Sequence, residues 1–66
     1  MSELIIVSMR GCAPCEALKK ALRDKRVVFR EIDISERPNY RAVPVIEYKS
    51  QRFVGTDAFT FVRTNF

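Results

Sequence analysis

Apolar residues fall along this chain in two rhythms, and the switches between them mark out its elements. Leu4 to Met9 is an apolar, β-branched run closed by Arg10-Gly11, which predicts a buried strand. Over residues 13–25 the period lengthens to that of a helix, and Cys15, Leu18, Ala21 and Leu22 make one apolar stripe. Pro14 falls in the first turn, where its missing N–H costs nothing. Glu16 precedes Lys20 by four residues, the favourable order for a surface ion pair. Lys and Arg crowd the last turn, against the negative end of the helix dipole. Val27 to Ile34 reads as a second strand, with Val28, Ile32 and Ile34 on one face and Phe29, Glu31 and Asp33 on the other. Two strands joined by one helix predict a right-handed, parallel βαβ unit.

The second half is read in the same way. Ser35 to Ala42 contains Pro38 and predicts a loop or a single helical turn. Val43-Pro44 leads into a strand over Val45 to Tyr48. Ser50-Gln51 is a tight connection to a return strand, Arg52 to Val54, which Gly55 ends. Thr56-Asp57 predicts a helix N-cap, opening a helix over 57–65 that turns Phe59, Val62 and Phe66 inward. The order β-α-β-β-β-α is that of a small α/β fold with a four-stranded mixed sheet. A chain of 66 residues makes a single domain over 1–66. At this size roughly 60% of the unfolded chain's surface is buried, so modest stability is expected.

Composition narrows the function classes. The net charge of +4 suits an anionic partner, but the basic residues are spread from Arg10 to Arg63. Nucleic-acid readers more often show a dense basic run or a reading motif, so nucleic acid is not the expected partner. The early apolar run Leu4-Ile5-Ile6-Val7 is too short for a membrane span or a signal-peptide core, and a cytoplasmic location is expected. The absence of histidine excludes Cys–His nucleophilic pairs and His-containing metal sites. The remaining candidate chemistry lies with Cys12 and Cys15.

Those cysteines stand in a C-x-x-C whose position matters as much as its spacing. Cys12 follows a strand and Cys15 lies in the first turn of the next helix, so the two sulfurs share a face. Free N–H groups and the helix dipole favour negative charge at Cys12, which lowers its thiol pKa and makes the reactive thiolate. Arg10 is placed to assist. Cys15 lies on the buried stripe and is expected to stay protonated until it resolves a mixed disulfide. Three plainer readings compete. A structural disulfide over so short a loop contributes only about 2 kcal/mol, against about 5 for a hundred-residue loop, and the cytosol keeps such pairs reduced. A zinc site needs four ligands, so one C-x-x-C would require a dimer, and no metal is expected. Two inert buried cysteines at this spacing are the third reading. A C-x-x-C between strand and helix in a βαβ unit favours redox chemistry.

In this setting the chain resembles the glutaredoxin family of the thioredoxin fold. Three motifs match in order: Arg10-Gly11-Cys12-Ala13-Pro14-Cys15, Ala42-Val43-Pro44 and Val54-Gly55-Thr56-Asp57. The resemblance implies a cis proline at Pro44 facing the cysteines, for which an ordinary trans proline at a strand start is the alternative. It implies a glutathione site in which Val43 pairs with the cysteinyl backbone and Thr56-Asp57 take the γ-glutamyl carboxylate and amine. Asp57 as a plain cap is the alternative. Arg41, with Arg37, lies near the loop that would meet the glycyl carboxylate, with ordinary solvated charge as its alternative. The chain also departs from the family. Ala13-Pro14 stand where Pro-Tyr is typical, and Met9 stands where the family's basic residue usually lies. The eight residues Ser35 to Ala42 replace a full helix before the Val-Pro motif. A minimised, two-layer glutaredoxin follows, with helices on one face and Glu31, Asp33 and Glu47 suited to the uncovered face.

The resemblance implies dithiol exchange: Cys12 attacks a disulfide, Cys15 resolves it, and glutathione re-reduces the pair. Disulfide-containing proteins and glutathione mixed disulfides are the expected substrates. Two alternatives stand beside it. One is a redoxin recycled by thioredoxin reductase that serves ribonucleotide reductase. The other is a non-catalytic module that binds a metal or an iron–sulfur cluster.

Overall fold

The computed structural model describes residues 3–66. Its elements are β1 (Ile5–Ser8), α1 (Ala13–Asp24), β2 (Arg30–Asp33), a 3₁₀ turn (Ile34–Glu36), β3 (Val45–Tyr48), β4 (Gln51–Val54) and α2 (Thr56–Asn65). The order is the β-α-β-β-β-α expected, and the four strands form one mixed sheet in the order β2-β1-β3-β4. β1 runs parallel to β2, with Ile6 opposite Glu31 and Val7 opposite Ile32. β3 runs antiparallel to both of its neighbours, with Val7 opposite Val45 and Val45 opposite Val54. No described helix is long and apolar enough to cross a membrane.

Strand alternation divides the apolar residues into two layers. Leu4, Ile6 and Ile46 meet Leu18 and Leu22 of α1 and Ala58, Phe61 and Val62 of α2. Both helices therefore cover one face of the sheet. Phe61 closes this layer, its ring stacked on Phe53 at 4.2 Å and tilted against Tyr48 at 5.7 Å. Val7, Ile32 and Val45 form a smaller cluster on the opposite face, flanked by Ile5, Ile34, Tyr40 and Val43. That face carries no helix, but the 34–44 connection folds across it. Arg37 grips Glu47 of β3 with two N–H donors, at 2.7 and 3.0 Å. The Tyr40 hydroxyl donates to the same carboxylate, and the Arg52 guanidinium lies 5.1 Å over the Tyr40 ring.

Several expectations are corrected. β2 begins at Arg30 rather than Val27, because the residues before it close α1. Arg26 takes a left-handed φ of 60°, while Arg26 N–H donates to Arg23 and Val27 N–H to Leu22. This is a Schellman closure, with Val27 and Leu22 in one apolar cluster. Val28 is left 91% exposed. Glu31 and Asp33 lie on the helix side, since the parallel register sets them opposite Ile6 and Ser8; only Glu47 falls on the helix-free face. Glu16 pairs with Lys19 at 2.7 Å rather than with Lys20, which pairs with Asp24 at 3.0 Å. Gly55, at a φ of 59°, is the cap of α2, so Thr56 and Asp57 are its first helical residues. Phe66 is 43% exposed, its ring edge-on to Phe61 and Tyr48.

Candidate active site

The sheet register gathers one end of the molecule. The parallel β1–β2 pair and the antiparallel β3 and β4 place the ends of β1, β2 and β4 beside the start of β3. The segments leaving or entering there are Met9–Cys12, the 3₁₀ turn, Val43-Pro44 and Gly55–Asp57. All three matching motifs of the sequence therefore share a single edge.

Cys12 is the N-cap of α1, in extended backbone conformation. Its Sγ accepts the Cys15 N–H at 3.1 Å, and its carbonyl accepts the Glu16 N–H at 3.1 Å. The sulfur thus occupies the place that an oxygen usually takes at a helix start, facing N–H groups with no intrahelical partner. Gly11 precedes it at a φ of 76°, and a Cβ there would meet nothing within 4 Å. Backbone conformation, not space, calls for glycine at this turn. Cys12 and Cys15 are joined as a disulfide. Cys12 is 9% exposed and Cys15 is fully buried, so an incoming thiolate reaches only the outer sulfur.

Val43-Pro44 is cis and Pro44 is buried. The Pro44 carbonyl accepts the Gly55 N–H at 2.8 Å, which ties the Val-Pro turn to the start of α2. Thr56 and Asp57 stand exposed in the first turn of α2, and Val43 is half-buried beside them in the fold. Arg10 is exposed; its charge acts on Asp33, whose carboxyl is lowered mainly by hydrogen bonds from Ser35 and then by Arg10. Arg37 is turned away from this edge by its fork to Glu47. Arg41 lines an open cavity on the helix-free face, with Tyr40, Ala42, Val45, Arg52 and Val54.

Behind the cysteine turn lies a polar cluster that residue spacing alone does not display. Lys19, four residues beyond Cys15, is buried against Glu16 and Glu31, each at 2.7 Å. Ser8 is buried too, and its hydroxyl donates to Glu31 at 2.6 Å. The Lys19 and Ser8 hydrogen bonds hold the Glu31 carboxyl below its ordinary value, and the two carboxylates hold the Lys19 ammonium above its own. The available signal was Lys19 itself, a cation directly beside the apolar Leu18 of the stripe. Among the described residues, no group of three or more Cys, Asp or Glu side chains is gathered as a metal cluster.

Comparison with known proteins agrees with this geometry. The glutaredoxin family model matches residues 4–53. N-acetyl-S-hydroxy-L-cysteine reductase of Bacillus subtilis is 33% identical over 45 residues, which cover 68% of this chain and 48% of that protein. The chain thus spans about half the length of the curated relative it matches. Among solved structures, the glutaredoxin-like NrdH-redoxin of Escherichia coli, described as having a thioredoxin-like activity profile, superposes with a TM-score of 0.79. It is 18% identical and covers 97% of this chain and 95% of its own. A mutant of a thioredoxin-like protein superposes with a TM-score of 0.76 at 14% identity, covering 92% of this chain and 96% of its own. The chain belongs to the glutaredoxin family, with a thioredoxin fold and the Cys12–Cys15 pair as its redox couple.

Proposed function

We propose that this thiol oxidoreductase reduces protein disulfides and glutathione mixed disulfides by dithiol exchange and is itself re-reduced by glutathione. The observation that carries the reading is the asymmetry of the pair: Cys12 Sγ accepts an N–H at a helix start, while Cys15 is fully enclosed. In the reduced protein the Cys12 thiolate attacks one sulfur of the substrate disulfide and expels the other as a thiolate, leaving a Cys12 mixed disulfide. Cys15 gives up its proton and attacks Cys12 Sγ, releasing the second substrate thiol and forming the Cys12–Cys15 bond. Two glutathione thiols then return two electrons, leave as glutathione disulfide and restore both cysteines. Val43 offers its backbone to the glutathione cysteinyl group, and the free N–H groups of α2 at Thr56 and Asp57 receive its γ-glutamyl carboxylate. The same attack on the sulfur of a small S-hydroxy thiol, the kind of compound the Bacillus reductase is named for, expels water instead of a thiolate.

A second reading is favoured by the fork from Arg37 to Glu47, which leaves one cation fewer for glutathione's carboxylates. In it, thioredoxin reductase is the donor and ribonucleotide reductase a substrate. The test is turnover of a small glutathione mixed disulfide by wild type, Cys12→Ser and Cys15→Ser, with glutathione and its reductase as donor. Wild type is expected to turn over, Cys12→Ser to be inactive, and Cys15→Ser to keep part of the activity by a monothiol route. Inertness with glutathione, combined with reduction of a protein disulfide when thioredoxin reductase is supplied, would replace the first reading by the second.

A further inference from the structure

The 34–44 connection leads straight into the Val43-Pro44 turn, yet little regular structure holds it. Beyond the 3₁₀ turn its backbone bonds are local: Arg37 N–H donates to Ile34 and Tyr40 N–H to Arg37, each at 2.9 Å. Among the described residues, every hydrogen bond from residues 37–43 to the sheet ends on one group, the Glu47 carboxylate of β3. Pro44 is fixed separately, through the Gly55 N–H. Val43 therefore lies between two anchors, one at the start of α2 and the other at Glu47.

We propose that Glu47 is a positioning residue for the substrate: by holding Arg37 and Tyr40 against β3, it fixes the Val43 backbone on which a substrate peptide docks. Glu47 stands three residues along β3 from Pro44, about 10 Å at the rise of a strand, so it acts through Tyr40 rather than by contact. Tyr40 is confined at its hydroxyl by Glu47 and on its ring face by the Arg52 guanidinium. Tyr40 and Val43 pack on the same small cluster of Val7, Ile32 and Val45, so a shift of one carries to the other. The Glu47 side chain is only 19% exposed, and its bidentate bond to Arg37 is of the strong, charge-assisted kind. An extended peptide that pairs with a backbone gains most where the N–H and C=O groups are already held in line, because ordering a loose segment subtracts from affinity. The clamp stands where the family's full helix would.

This inference rests on the docking role proposed for Val43, and the test separates the two. One probe is the disulfide of N-acetylcysteine N-methylamide, neutral and with a peptide group on each side of its cysteine. The other is hydroxyethyl disulfide, neutral and with none. The reduced full chain is oxidised by each, and the ratio of the two rate constants is divided by the same ratio for dithiothreitol. Differences in leaving thiol, thiolate content and folded fraction cancel in that quotient, so a merely structural role does not move it. Wild type is expected to favour the peptide disulfide by about fivefold or more, the worth of one or two backbone hydrogen bonds. Glu47→Gln and Tyr40→Phe should each lower the quotient by about threefold or more, and Arg63→Gln, on the exposed side of α2, should keep it. Tyr40→Phe retains the ring and its packing, and it carries the test if Glu47→Gln does not fold. A wild-type preference that survives both substitutions would overturn the role of Glu47 and leave docking at Val43 standing. No preference in wild type would overturn docking at Val43, and the role of Glu47 with it.

Discussion

Lys19 is a buried cation held by two carboxylates, only one of which stays largely in solvent. Its partner Glu31 keeps 41% of its side chain exposed, so the pair sits between a surface and an interior ion pair. Replacing Glu31 by Gln preserves the shape and the reach to Ser8, and Glu16 still satisfies Lys19. The loss at neutral pH should be no more than about 1 kcal/mol. The pH dependence is the clearer signal. Glu31 and Glu47 both have carboxyls held below the ordinary 4.5, so their stabilisation is complete above that value and is lost as pH falls through the lower folded one. Urea midpoints should therefore drop between about pH 5 and 3, and Glu31→Gln should flatten part of that drop. The Lys19 contribution runs the other way, present below 10.5 and lost only as pH rises past the raised folded value. At Cys12, the donated Cys15 N–H and the helix start should bring the thiol of the reduced protein below the free value of about 8.5, as read from ultraviolet thiolate absorbance against pH. The pairing of the two cysteines was legible from spacing, because a C-x-x-C at a strand-to-helix junction constrains geometry strongly. Lys19 was not, because helical periodicity marks apolar positions and is silent on a cation whose partners come from another strand.

At the scale of the element, the misjudged boundaries have local backbone causes. The strand signal in Val27-Val28-Phe29 was real in composition, yet Val27 serves as the closing residue of α1 and Arg26 bears the left-handed turn. An arginine there carries a penalty that glycine avoids, so Arg26→Gly should raise stability by about 0.5–1 kcal/mol in a urea titration. The β3–β4 hairpin has the same feature twice. Lys49 and Ser50 form its two-residue loop, with φ of 50° and 63° and Tyr48 paired to Gln51 across it. That pattern is a type I′ turn, for which Asn-Gly is the preferred pair. Replacing Lys49-Ser50 by Asn-Gly should stabilise by about 1 kcal/mol, and a decrease would mean that the turn is held by other forces. The Thr56-Asp57 cap expectation failed by one position for a related reason: Gly55 adopts the backbone the helix entry requires, so the cap needs no side chain. Sequence signals place elements well when several residues vote together, and badly where a single φ decides.

The whole molecule stands on few residues, and its two layers are unequal. The sheet with both helices on one side could be read from the chain, because alternation and helical period each assign many positions at once. The closure of the other side could not. It depends on Arg37 and Tyr40 reaching back to Glu47, a contact between a loop and a strand with no periodic trace. Within the helix-side layer Phe61 has a disproportionate share: it touches Phe53, Tyr48 and Phe66 and is only 9% exposed. The general stability of about 0.05–0.15 kcal/mol per residue gives a domain of this size a margin of roughly 3–10 kcal/mol. Truncating a buried phenylalanine to alanine removes about 3–5 kcal/mol, a large share of that margin. Phe61→Ala should therefore populate unfolded chain at physiological temperature, seen as loss of far-ultraviolet dichroism well before wild type melts. Val28→Ala, at an apolar residue left in solvent by the closure of α1, should stay within about 0.5 kcal/mol of wild type. If the two substitutions proved equally damaging, the stability of this fold would not reside in the aromatic layer over β3 and β4, and the helix-free face would carry more of it than its small cluster implies.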